Sequence, residues 1–217
     1  MELFRTIANM GQGSQFESFV RTVLGYYDEP HRDYHGVSHI TQGVHLALGL
    51  ADTQEEFDLT LTQQLAWLCH DIVYIPNSPK GSNETRSCSL MKILLGSEAF
   101  ASSTFDDLRD IQESACEIIE STIDHIPTSY SCRAVIDIDL AGLADPDKFR
   151  RNSKQIQREF GITDNRQFQV GQAAFLSNLV DSRKSLYCTR YALSNWEKPA
   201  RQIISDYTSC VTYALPD

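Results

Sequence analysis

Apolar residues recur at intervals of three and four along almost the whole chain, and that period restricts it to helices. Phe16, Val20, Val23 and Leu24 form one such stripe, and Leu61, Leu65 and Leu68 form another that ends at the polar pair His70-Asp71. Pro76, Pro79 and Gly81 mark a loop. Residues 104–125 carry two stripes on one predicted helix. Asp106, Asp110, Glu113, Glu117, Glu120 and Asp124 make a wet face, and Ile111, Ala115, Ile118, Thr122 and His125 a packed one, with Pro127 closing the helix. Asp145-Pro146 reads as a cap and first helical residue, Phe149, Ile156 and Phe160 line the helix that follows, and Gly161 ends it. Phe168, Phe175, Leu176 and Leu179 predict a further helix, and Ile203, Tyr207, Cys210 and Val211 a last one. Only AVIDIDL (134–140) alternates as a short strand would, and it has no convincing partner. The expectation is a single all-α domain over 1–217, with a core of about residues 20–145 and C-terminal helices 146–217 packed on it.

A chain of 217 residues, 41% of them hydrophobic, buries enough surface to need no disulfide or metal staple. No apolar run approaches the ~20 residues of a membrane span, and the N-terminus lacks a signal-peptide pattern. The formal net charge of −10 argues against non-specific nucleic-acid binding, which neutralises phosphates with Lys and Arg. The charge is unevenly placed: residues 1–144 hold 8 basic and 21 acidic side chains, residues 145–217 hold 11 and 8. Cys69, Cys88, Cys116, Cys132, Cys188 and Cys210 include no CxxC pair, which excludes zinc-ribbon and thioredoxin-like readings. They are expected to be reduced, mostly buried thiols of a cytoplasmic protein.

All six histidines lie in the acidic part. His35 and His39, four apart in YHGVSHI, would project from one face of a helix and share a metal or divide the roles of ligand and proton donor. Gly36 follows His35, so the HExxH pattern of metalloproteases is absent. His70-Asp71 closes the apolar segment LAWLCHD, where a buried carboxylate needs a cation or partner to offset its desolvation. Asp139, in IDIDLAGL, is another carboxylate among apolar residues, with Asp137 two positions before it. His39, His70, Asp71 and Asp139 together would offer mixed N and O ligands to a borderline divalent ion such as Mn, Fe, Co, Ni or Zn. His31 and His45 are read as structural. No P-loop, dinucleotide fingerprint or GxSxG elbow is present.

The order H…HD…D, with EPHRDYHGVSHI, AWLCHDIVY, NETRSCSL, IDIDLAGL and REF in succession, resembles the HD superfamily of metal-dependent phosphohydrolases, and within it the small bacterial branch of predicted HD phosphohydrolases. The likeness runs over roughly residues 20–210. It implies an HD-domain helical bundle and a divalent ion (Mg included) on His39, His70, Asp71 and Asp139, the choice of Asp139 over Asp137 resting on family register. Such an ion would lower the pKa of a bound water and polarise a phosphoryl oxygen. Phosphodiesterases of the superfamily carry YHN where this chain has Tyr34-His35-Gly36, and their histidine protonates the leaving group. This makes His35 the candidate general acid, without implying a cyclic-nucleotide substrate. Glu84, in the element shared with the small branch, is a candidate to orient the attacking water or hold a second metal, as is His125.

Phosphate substrates call for positive charge beyond the metal. Arg32 adjoins the His35 segment, and Arg150, Arg158 and Arg201 come from the less acidic end. Tyr187 and Tyr191 either stack on a base or pack. The resulting expectation is hydrolysis of a small phosphorylated molecule, a nucleotide first among the candidates, with homo-oligomerisation left open. Two other readings are a non-catalytic metal-containing sensor domain and a di-iron HD oxygenase.

Overall fold

The apolar period has its expected outcome: the computed structural model, which describes residues 14–96 and 108–213, is all-α. Ten α-helices occur among the described residues: α1 (Ser14–Tyr27), α2 (Val37–Ala51), α3 (Leu61–Cys69), α4 (Ser82–Leu95), α5 (Leu108–Ser121), α6 (Cys132–Leu140), α7 (Pro146–Glu159), α8 (Asn165–Asp181), α9 (Arg190–Asn195) and α10 (Glu197–Tyr213). The chain divides into two compact units, one reaching to Ile136 and one starting at Asp137, so the boundary falls inside α6. Among the described residues, no helix is long and apolar enough to cross a membrane.

In the first unit, α3 is the central element. A capping box starts it: the Thr60 hydroxyl accepts from the Gln63 backbone N–H, and the Gln63 side chain accepts from Thr60 N–H. From Gln63 to Cys69 every residue is buried, as expected of a helix enclosed on all sides rather than on one stripe. It packs against α5 and α4, and Val23 and Tyr27 of α1, Ile40 and Val44 of α2, Met91 of α4 and Ile118 and Ile119 of α5 are buried in the same unit. The α1 stripe is Phe19, Val20, Val23 and Tyr27, with Leu24 half-buried. The side chains of Phe16 and Asp106 lie outside the described residues.

The two faces of α5 follow the sequence, with Asp110, Glu113, Glu117 and Glu120 exposed and Ala115 and Ile118 buried. The helix is shorter than its periodicity suggests. It stops at Ser121, where the Ser121 and Thr122 hydroxyls donate to the carbonyls of Ile118 and Ile119. Ile126 N–H then reaches back to Ser121 O, with His125 in the left-handed conformation at φ 50°, a Schellman-type closure. His125 therefore sits half-buried in a turn rather than on the packed stripe. Asp124 is in the same turn and pairs with Lys80. AVIDIDL is helical, not extended: in α6 Ala134 to Ile138 are all buried, so its alternation of residue types does not correspond to alternating faces.

In the second unit the caps match expectation. Asp145 accepts from the N–H groups of Asp147 and Lys148 at 2.9 and 3.0 Å, Pro146 opens α7, and Gly161 closes it at φ 66°. Phe168, Leu176 and Leu179 of α8 are buried, whereas Phe175 is exposed, because the buried face of α8 runs through 168, 172 and 176. On α10 the buried positions are Ala200, Ile204 and Val211; Ile203 and Tyr207 are half-buried and Cys210 is exposed. Four of the six cysteines are buried, Cys188 is half-buried, and no disulfide is present among the described residues.

Candidate metal centre

Three of the expected ligands come together. His39 lies in the first turn of α2, His70 is the C-cap residue of α3, and Asp71 follows it in the turn. All three are buried, and their candidate ligand atoms lie within 4.8 Å of one another. His39 Nε2 is 3.3 Å from His70 Nε2, His70 Nε2 is 2.9 Å from Asp71 Oδ2, and His39 Nε2 is 4.0 Å from the same oxygen.

The chemistry of this donor set favours a cation. His70 Nδ1 is 2.8 Å from the carbonyl oxygen of Trp67, which can only accept, so Nδ1 carries a proton. In the neutral imidazole that leaves a lone pair on Nε2, directed at the equally electron-rich Asp71 carboxylate. Only a proton or a metal ion between them removes that repulsion. Two nitrogens each about 2.0–2.1 Å from a shared ion stand roughly 3.0–3.4 Å apart, the separation that His39 and His70 show.

The surroundings hold the ligands from behind. The His70 ring stacks on Trp67 (centroids 4.6 Å, 23°), whose indole N–H donates to Ile40 O of α2. The His39 ring lies between Tyr34 and Trp67, at 4.9 and 5.1 Å. Tyr27 donates to Leu68 O and accepts from Asp71 N–H, and burial, with the Asp71 charge, pushes its phenol well above its ordinary pKa. The remainder of the turn is pinned to α4. Asn83 exchanges two hydrogen bonds with the backbone of Ile75, and Ser87 does the same with Val73. The element NETRS thus has a structural function at Asn83 and Ser87, while Glu84 stands half-buried in the first turn of the same helix.

His35 is not on α2. It occupies the bend before the helix, with its ring stacked on Tyr74 at 3.9 Å and 6.1 Å from the ring of His39. Gly36 is what permits this approach: a Cβ there would meet the Tyr27 carbonyl oxygen at 3.3 Å. Arg32, considered for phosphate, is engaged by the protein itself. Its side chain is fully buried and donates to Glu29, to His35 O, to Asp71 O at 2.5 Å and to Ile72 O at 2.9 Å. Nothing in local periodicity marks Tyr27 or Tyr74 as parts of the site, because their partners are distant in sequence. Trp67 lies one helical turn before His70, and Arg32 adjoins the His35 segment, so these two had a local signal.

The second unit contains Asp139, half-buried in the last turn of α6. Its neighbour Asp137 is fully buried and accepts from Cys188 N–H, Thr189 N–H and the Thr189 hydroxyl at 2.7–2.8 Å. Burial pushes the Asp137 carboxyl up to about 6 against those bonds. Both its oxygens are thus committed to the loop that starts α9. Arg150 and Arg158 are exposed on α7 and, with Arg151 and Lys154, line a cleft of about 310 Å³; Arg150 also donates to Asp147. Arg201 is paired with Glu197 and donates to Lys184 O. Tyr187 is buried and donates to Leu140 O, and Tyr191 packs edge-on against Trp196.

No protein-family model matches this chain, and no curated protein matches it. Fold and site together define an all-α protein with a buried His39-His70-Asp71 group able to hold a metal ion.

Proposed function

We propose that the chain is a metal-dependent phosphohydrolase of the HD type, acting on a phosphate ester of a small molecule, a nucleotide in the first instance. The observation that carries this reading is the commitment of His70 Nδ1 to Trp67 O, which points the Nε2 lone pair at Asp71 beside His39. In the HD pattern that the sequence resembles, an aspartate at the position of Asp139 is the fourth ligand. A divalent ion bound there supplies activation of water and polarisation of a phosphoryl oxygen.

The chain's own residues have separable tasks. Tyr34 and Trp67 enclose the His39 ring and keep bulk water from it. His35, held against Tyr74 one ring away from His39, gives a proton to the leaving oxygen. Glu84 orients the attacking water. Arg150 and Arg158 are the candidates for steadying a second phosphate charge.

The test is release of phosphate or alcohol from a panel of nucleotides and other phosphate esters with Mn, Fe, Co, Ni, Zn or Mg added in turn. Turnover that requires one of these ions and is lost in His70→Ala supports the reading. Tight metal binding with no turnover on any ester would instead make the centre a structural or ligand-sensing one.

A further inference from the structure

Helix α7 departs from the charge balance of the rest of the chain. Its segment RRNSKQIQR (150–158) holds four cations and no carboxylate, in a chain of net charge −10. Arg21 on α1 and Arg109 on α5 are each matched by a glutamate one turn away. On α7 Arg150 is matched by Asp147, whereas Arg151 and Lys154 form no ion pair among the described residues. At about 3.6 residues per turn, Arg150, Arg151, Lys154 and Arg158 fall within about 100° of one another around the helix. Packing fixes the other side: Phe149 is buried with its ring edge-on to Tyr207 of α10, and Ser153 accepts from Gln172 of α8. The four cations are therefore held outward, exposed, and line a cleft of about 310 Å³.

We propose that this face of α7 is a binding site for a short oligophosphate chain, the chemistry shared by inorganic tripolyphosphate and nucleoside triphosphates. Three of the four cations are arginines, whose planar fork takes two phosphate oxygens at once. Arg150, Lys154 and Arg158 succeed one another at ~6 Å along the helix axis, so a ligand with several anionic groups in a row reaches two or more of them together. The acids nearest to them are already engaged: Asp145 caps the helix, Asp147 pairs with Arg150, and Glu159 is buried. The cleft also lies at the small end of ligand sites, which run from ~300 to ~1,000 Å³. Nucleic acid suits these charges poorly. An extended polyanion meets the net −10 of the whole chain, whereas a small one stays within a Debye length, ~8 Å at physiological salt, of the cluster.

Binding at α7 needs neither the metal ion nor turnover, and it stands without the hydrolase proposal. Only the step from ligand to substrate rests on that proposal, which draws on Arg150 and Arg158 for a second phosphate charge. With that step, the substrate class narrows to diphosphates and triphosphates in preference to phosphate monoesters, because a single phosphate leaves most of the cluster unused.

The experiment is calorimetric titration of the full chain, with no divalent ion added, by sodium tripolyphosphate, ATP, AMP, orthophosphate and citrate. Tripolyphosphate and ATP should bind about tenfold or more tighter than the other three, and more weakly as salt is raised. Tripolyphosphate equal to ATP identifies the phosphate chain as the whole ligand, and ATP tighter than tripolyphosphate identifies a nucleotide; either supports the site. Arg151→Gln combined with Lys154→Gln should weaken both by about tenfold, whereas Arg21→Gln combined with Arg109→Gln, the same charge removed from exposed positions on other helices, should change them by less than about twofold. His70→Ala should bind as the wild type does. Orthophosphate or citrate as tight as tripolyphosphate would overturn the proposal. So would an equal loss in the two double variants, or a loss in His70→Ala with none in the α7 variant. Tripolyphosphate binding at α7 with no turnover on any ester would sink the hydrolase proposal and leave this site standing; turnover with unaltered KM in the α7 variant would do the reverse.

Discussion

The guanidinium of Arg32 donates to the carbonyl oxygen of Asp71, 39 residues further along the chain, at 2.5 Å. The same nitrogen also reaches His35 O, and its neighbour reaches Ile72 O. One buried cation therefore joins the bend that carries His35 to the turn that carries Asp71. Replacing Arg32 by Met would leave three carbonyls without this donor and should cost about 2–4 kcal/mol, measured by urea denaturation. Arg32→Lys should recover only part of the loss, because an ammonium cannot span the same set of acceptors.

His70→Ala should remove divalent-ion binding seen by calorimetry. In the wild-type chain, stripping the ion with a chelator should lower the melting temperature. A ligand that binds only the folded state stabilises it by about 2.7 kcal/mol when its free concentration is about a hundred times Kd. Identical melting curves with and without chelator, for a preparation shown to contain metal, would contradict the assignment.

His35→Ala should leave metal binding intact, since the ring is 6.1 Å from that of His39 and outside the ligand group. If it protonates the leaving group, kcat should fall by about 10²–10⁴ with little change in KM. Esters whose leaving groups are already stable as anions should be affected much less, which distinguishes proton donation from misfolding.

Gly36→Ala places a methyl group 3.3 Å from the Tyr27 carbonyl oxygen, closer than side chains ordinarily stand, so the bend or the end of α1 must give slightly. The expected cost is about 1 kcal/mol, with weaker metal binding as the bend shifts. Gly25→Ala is the control: on α1, it meets nothing within 4 Å and should be neutral or stabilising.

Asp145 caps α7 through two backbone N–H groups, chiefly that of Lys148, and these hold its carboxyl below the ordinary range. A depressed carboxylate contributes stability above its unfolded pKa and loses it as pH falls through the lower folded value. Asp145→Ala should therefore cost about 1 kcal/mol at neutral pH. The gap between variant and wild type should close in acid, once pH drops below the usual aspartate range. Denaturation midpoints at pH 7 and in that acid range check it.

The sequence-level features that proved legible share a local cause. The Asp145 cap, the Gly161 stop and the stripes of α5 are fixed by residues within one or two turns of each other. His70-Asp71 at the end of an apolar helix was legible for the same reason. Where the structure differs, the deciding contact is remote or the residue is buried on all sides. AVIDIDL alternates in type, yet Ala134 to Ile138 are all enclosed, so type carries no facing information there. His35 sits four before His39, but the close approach at Gly36 holds it in a bend that spacing alone cannot show. Arg32 adjoins the site in sequence, yet its role is set by carbonyls 39 and 40 residues away.

The segment after His70-Asp71 is held largely through its main chain: Arg32, Tyr27, Ser87 and Asn83 all bind peptide groups from Leu68 to Ile75, with the Ile72 and Tyr74 side chains as further anchors. Its path is consequently indifferent to most of the side chains it displays. Ile75, 49% exposed, can change identity without disturbing where Asp71 stands, whereas Asn77, at φ 62°, is confined to residues that accept the left-handed region. On the proposed hydrolase reading, substitutions at Ile75 should therefore leave metal binding at His39, His70 and Asp71 unchanged, and any change they bring in substrate range comes from the displayed side chain alone.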